Sequence, residues 1–123
     1  MSEGIANQSG EYDVTAVTAV LPQEYRAALA RQFDDLAKTW KKETGHLSNV
    51  TKKCTHPAYQ RIIGLGPGAV PLILRDLKAS HDDWFWALSA ITGDNPITER
   101  DAGDVALMTE AWLRWGRANG CDV

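Results

Sequence analysis

Apolar residues recur at spacings of three and four along most of this 123-residue chain. That is the repeat of a helix face and not the alternation of a strand. Tyr25, Leu29, Phe33 or Leu36, and Trp40 form one stripe, with Asp34, Asp35, Lys38, Lys41 and Lys42 on other faces. Pro22 suits a first helical position and Gly45 a C-terminal stop. The spacing therefore predicts a helix of about six turns, the longest element. Residues 46–55 read as a polar connection. His56-Pro57 restarts the chain, and Tyr59, Ile62 and Ile63 mark a short helix over 58–65. "GLGPG" breaks it. Pro67 opens the next helix, through about residue 79, with Val70, Ile73, Leu74 and Leu77 inward; Pro71 sits where first-turn amides lack helical acceptors anyway. Ser80 and Asp82 or Asp83 are expected to cap a helix over 82–92 that stops at Gly93. After a loop, Asp104 caps a last helix with Val105, Met108, Trp112 and Trp115 on one side, ended by Gly116 or Gly120.

Nothing pairs into a sheet. "VTAVTAV" could extend, but no second strand exists for it, and an isolated strand is not stable. The fold expected is all-α: a compact bundle of about five helices over 21–120, preceded by a flexible arm over 1–20.

The stretch "DDWFWALSAITG" complicates this simple stripe pattern. Adjacent helical positions turn by about 100°, so Trp84 and Trp86 diverge by about 200°. Trp84 lines up with Leu88 and Ile91; Trp86 lies with Ala90 and Gly93. A helix apolar over so much of its circumference is either central or covered by a partner. Trp84 is expected in the core, with the helix packed between its predecessor and the Trp112/Trp115 helix. Trp86, with Phe85 and Trp115, is the candidate partner-binding group, since tryptophan is enriched at binding hot spots.

Composition changes this picture little. An apolar fraction of 44% and a charged fraction of 24% are those of an ordinary globular chain. Five tryptophans are the one excess. Two cysteines make no disulfide scaffold, no apolar run is long enough for a bilayer, and no basic-then-apolar leader opens the chain. The expected setting is cytoplasmic and non-membrane. Charge, however, is unevenly placed. Residues 1–37 and 62–123 are acidic, whereas 38–61 carry six basic residues against Glu43 alone. Lys41, Lys42, Lys52 and Lys53 are thus candidates for a weak contact with nucleic acid.

The segment "LGPGAVPLILRDLKASHDDWFWALSAITGDNP", residues 65–96, resembles a HEAT-type helical hairpin through Leu65, Gly66, Pro67, Ala69, Val70, Pro71, Ile73, Leu77, Ala87, Leu88, Ala90, Ile91 and Gly93. It departs from that pattern at Trp84-Phe85-Trp86, and it occurs once. Stacked repeats need about three units, so the other helices must supply the remaining layers. The wider run over 56–116 resembles a family of small bacterial proteins of no assigned function. The resemblance implies a bacterial or phage protein and brings no active site with it.

Candidate chemistry is sparse. Cys54-Thr55-His56, with His46 and His81, falls short of the four paired ligands of a closed zinc site; the residue pattern reads as a loop cysteine beside a helix-capping histidine. A Cys/His nucleophile would need a positioned base and oxyanion site. Asp82-Asp83 reads as a cap and Asp34-Asp35 as a solvated face. "GLGPG" follows a helix and lacks the lysine of a phosphate loop. No cofactor and no catalytic residue is expected. The residues point to a non-enzymatic protein-interaction module: a small adaptor, inhibitor or antitoxin-like regulator. Nucleic-acid binding through 38–61 is the alternative, and a small enzyme the third reading.

Overall fold

The computed structural model describes residues 22–123, so the expected arm over 1–20 lies outside the described residues. Within them the chain is all-α. The helices are α1 (Gln23–Thr44), α2 (Val50–Cys54), α3 (Pro57–Gly64), α4 (Val70–Ser80), α5 (Phe85–Thr92) and α6 (Val105–Ala118). A 3₁₀ turn (Pro67–Ala69) leads into α4. No strand occurs among the described residues.

Helix α1 buries Leu29, Phe33, Ala37, Trp40 and Thr44, every third or fourth residue along 22. Tyr25, expected to begin this stripe, is exposed. Pro22 stands one place before the helix with ψ 152°, and its carbonyl accepts from the Arg26 amide. Helix α1 packs most closely on α3, whose inward face is Ala58, Tyr59 and Ile62. His56 caps α3: its Nδ1 accepts from the Ala58 amide at 3.0 Å, with Pro57 in the first turn.

Three sequence expectations need correction. The connection over 46–55 contains α2, a helix too short to show a period. It is started by the Asn49 side chain, which accepts from the Lys52 amide. Its last residue, Cys54, is fully buried and no loop cysteine. Second, Asp82 and Asp83 cap nothing. Helix α5 begins at Phe85, behind an unusual cap described below. Third, α6 packs on α4, whereas α5 packs chiefly on α3.

Gly116 explains the pairing of α6 with α4. It lies inside α6, not at its end, and a Cβ there would sit 2.7 Å from Leu74 Cδ1. Glycine lets the two helices approach. The true stop is Asn119-Gly120, with Gly120 at φ 93°. Helix α4 ends on His81, a non-glycine residue at φ 58°, and α5 on Gly93 at φ 72°. Both have the left-handed geometry common just beyond a helix. Asp104 caps α6 as expected, accepting from the Leu107 amide. Residues from all six helices join one core, with Trp40, Trp84, Trp112 and Tyr59 its largest fully buried side chains.

Candidate functional site

Four rings form the centre of that core. Trp84 lies 4.6 Å from Trp40 and 5.6 Å from both Phe33 and Tyr59, centroid to centroid. Trp40 and Tyr59 are 5.1 Å apart. These separations are in the range where aromatic pairs attract beyond simple burial. Each polar edge is also satisfied. Trp84 Nε1 donates to Asp76 Oδ2 at 2.7 Å, and Trp40 Nε1 donates to the Lys53 carbonyl at 2.8 Å.

Tyr59 does more. Its hydroxyl donates to the Asp83 carbonyl at 2.8 Å and accepts from the Ala87 amide at 2.9 Å. Ala87 is the third residue of α5, so its amide is one of the donors a helix leaves without an internal acceptor. A tyrosine from another helix thus does the work of an N-cap side chain. Burial, with Cys54 and Asp83 nearby, raises the Tyr59 pKa and keeps the hydroxyl neutral, as donation requires.

The carboxylates expected as caps are engaged elsewhere. Lys41 Nζ sits 2.8 Å from Asp76 and 3.4 Å from Asp82, and Lys53 Nζ 2.7 Å from Asp83. Burial alone would raise the Asp76 carboxyl, but hydrogen bonds from Lys41, Trp84 and Ser80 outweigh it and lower its pKa. The segment between α4 and α5 is therefore clamped to α1 and α2 by two lysines. Of the four candidate nucleic-acid lysines, Lys41 and Lys53 hold this clamp; Lys42 and Lys52 are exposed.

With its start fixed, α5 presents its remaining face outward. Trp84 is 0% exposed and Trp86 42%. Ala90, one turn beyond Trp86, is exposed as well. None of the eight residues of α5 is charged. Phe85 is half-buried against the core. Trp115 presents little surface, at 8% exposure; it meets Trp112 edge-on at 5.3 Å, and its Nε1 donates to Asp94 Oδ2 at 2.8 Å. The structure thus separates the three candidate partner residues: Trp86 outward, Phe85 at the margin, Trp115 bracing the loop after α5.

The remaining candidates for chemistry have structural roles here. His56 uses both ring nitrogens, Nδ1 on the cap and Nε2 2.7 Å from Glu43. Cys54 Sγ points at the Asp83 carbonyl, 3.9 Å away, and burial raises its pKa. Among the described residues no three His, Cys, Asp or Glu side chains gather as metal ligands, and no helix is long and apolar enough to cross a membrane. Sequence reasoning missed the Tyr59 hydroxyl and the lysine clamp. Both join residues more than 20 positions apart, and no local spacing signals such pairs. No family model, curated protein or solved structure matches the chain.

Proposed function

We propose that the chain is a non-enzymatic protein-interaction module, a small adaptor, inhibitor or antitoxin-like regulator, that meets its partner through the outward strip of α5. The observation that carries this reading is Trp86. A large ring stands 42% exposed on a helix without a single charged side chain, two residues from a tryptophan fixed in the core. Rigid, exposed aromatics surrounded by small apolar residues are the usual anchors of protein interfaces. The Tyr59 cap and the lysine clamp hold the strip's position before any partner arrives, which lowers the ordering cost of binding. The order α4, turn, α5 is also that of the HEAT-like hairpin to which we compare residues 65–96, a scaffold suited to binding. Contact with nucleic acid draws less support, because Lys41 and Lys53 already face carboxylates.

The test compares the native chain with Trp86→Ala as bait in its own cells. The variant should keep the parental melt and lose the protein that the parent retains. Retention of the same protein by both would refute this use of α5. Retention of nucleic acid at physiological salt, abolished by reversing Lys42 and Lys52, would replace it with the alternative.

A further inference from the structure

A second surface lies away from α5. Helix α1 packs on α3 and on the 3₁₀ turn but stands off from α4. The space left between α1 and α4 forms a groove of two adjoining open cavities, about 390 and 540 Å³, that share Ala30, Leu72 and Arg75. Its floor is apolar: Leu29, Ala30, Phe33 and Leu72. Its walls carry three guanidinium groups, Arg26 and Arg31 from α1 and Arg75 from α4.

The charge in this groove is one-sided once existing pairs are counted. Among the described residues two carboxylates line it, and each already faces a lysine. Asp34 pairs with Lys38 at 3.3 Å, while Asp76 accepts from Lys41, Trp84 and Ser80. Among the described residues Arg26 makes a single 3.4 Å side-chain bond, to Gln23 Oε1. Among the described residues neither Arg31 nor Arg75 lies within ion-pair distance of a carboxylate. Three arginines flanking an apolar floor, in a chain whose net charge is −3, are a local feature that the whole-chain charge conceals.

We propose that this groove binds an acidic amphipathic helix of a partner protein. Apolar side chains at helical spacing would fill the floor between α1 and α4, as amphipathic helices do in other grooves. Carboxylates on the flanks would meet Arg26, Arg31 and Arg75, whose planar forks suit bidentate carboxylate pairing. A nucleic acid fits less well, because the one ring in the floor, Phe33, is buried at 7% exposure and offers bases no open face to stack on. The proposal rests on the reading of the chain as a protein-binding module but uses different residues, so the two can fail separately.

The probe is a fluorescein-labelled synthetic helix with leucines at i, i+3, i+4 and i+7 and glutamates on both flanks, followed by fluorescence anisotropy. It should bind the intact chain saturably, and more weakly as salt is added. Arg75→Glu and Arg31→Glu, both at exposed positions, should each weaken binding by about tenfold or more while the melt stays parental. Leu72→Gln should weaken it too, and Trp86→Ala should leave it unchanged. No saturable binding, equal binding of the lysine-for-glutamate peptide, or undiminished binding by Arg75→Glu would each overturn the groove and leave the Trp86 reading standing. Loss of the probe with Trp86→Ala would move the site to α5 and equally overturn it. Tighter association with phosphatidylglycerol vesicles than with the peptide would assign the surface to lipid instead.

Discussion

Trp84 and Trp86 are two residues apart and have opposite duties. Trp84 touches three other rings, and its indole N–H meets a carboxylate that also receives Lys41. Truncating it removes a large buried side chain and leaves Asp76 short of a donor. Large-to-small changes of buried aromatics cost about 3–5 kcal/mol, much of the stability of a small domain. Trp84→Ala should therefore lose its cooperative melt or fall far below the parent. Trp84→Phe should lie between, keeping the ring contacts but not the bond to Asp76. Trp86→Ala, at an exposed position, should stay within about 0.5 kcal/mol of the parent. Urea titrations of the three variants check this order. Equal losses for Trp84→Ala and Trp86→Ala would mean that both rings belong to the core. The opposite orientation of the two rings was legible in the sequence, because a turn of about 100° per residue leaves only one of them in line with Leu88.

At the scale of the element, legibility depended on where the stabilising partner comes from. Helix α1 and the caps at His56 and Asp104 follow from neighbours in the chain, and the sequence shows them. Helix α5 does not. Its start at Phe85 rests on Tyr59, 28 residues away from the amide it accepts, while the adjacent aspartates that local rules favour are drawn off by Lys41 and Lys53. Gly116 misleads for a similar reason: glycine marks a helix end more often than a close approach, and only Leu74 opposite it reveals which applies. The Tyr59 arrangement has a direct consequence. Tyr59→Phe keeps the ring but leaves the buried Ala87 amide without its acceptor and the Asp83 carbonyl with the weak Cys54 thiol contact in place of a full hydrogen bond. Leaving such groups unsatisfied costs about 1–3 kcal/mol. The variant should melt lower, and hydrogen exchange should rise first at the amides that open α5. A Tyr59→Phe protein with parental stability and protection at Ala87 would show that α5 starts without this cap.

For the whole molecule, the titrating groups set an asymmetric response to pH. On the acid side stands Asp76, whose folded pKa is lowered from the ordinary 3.8. A lowered carboxylate contributes stability above its unfolded value and loses it as pH falls through the folded one, so this contribution is intact at neutral pH. On the alkaline side four groups among the described residues act together. Burial raises Cys54 above the ordinary 9.0 and pushes Cys121 up to about 11. Burial also raises Tyr59 above 10.0. For Lys41 burial pulls downward, but Asp76 and Asp82 outweigh it and the net direction is up from 10.5. All four are raised, so in each case the folded state holds its proton more tightly than the unfolded chain. Their contributions are complete below about pH 9 and are lost as pH rises through the folded values. Cys121, 7% exposed, alone would lose on the order of 2–3 kcal/mol between its two values. Stability by denaturant titration should thus be level from about pH 6 to 8 and fall steeply above about pH 9. Cys121→Ala should flatten that alkaline fall relative to its own stability at pH 8, because it deletes one of the protons that the unfolded chain releases. A stability that stays level to about pH 10.5 would contradict the assignment. So would an alkaline slope identical in parent and Cys121→Ala, since both the buried thiols and the Tyr59 hydroxyl that starts α5 depend on remaining neutral.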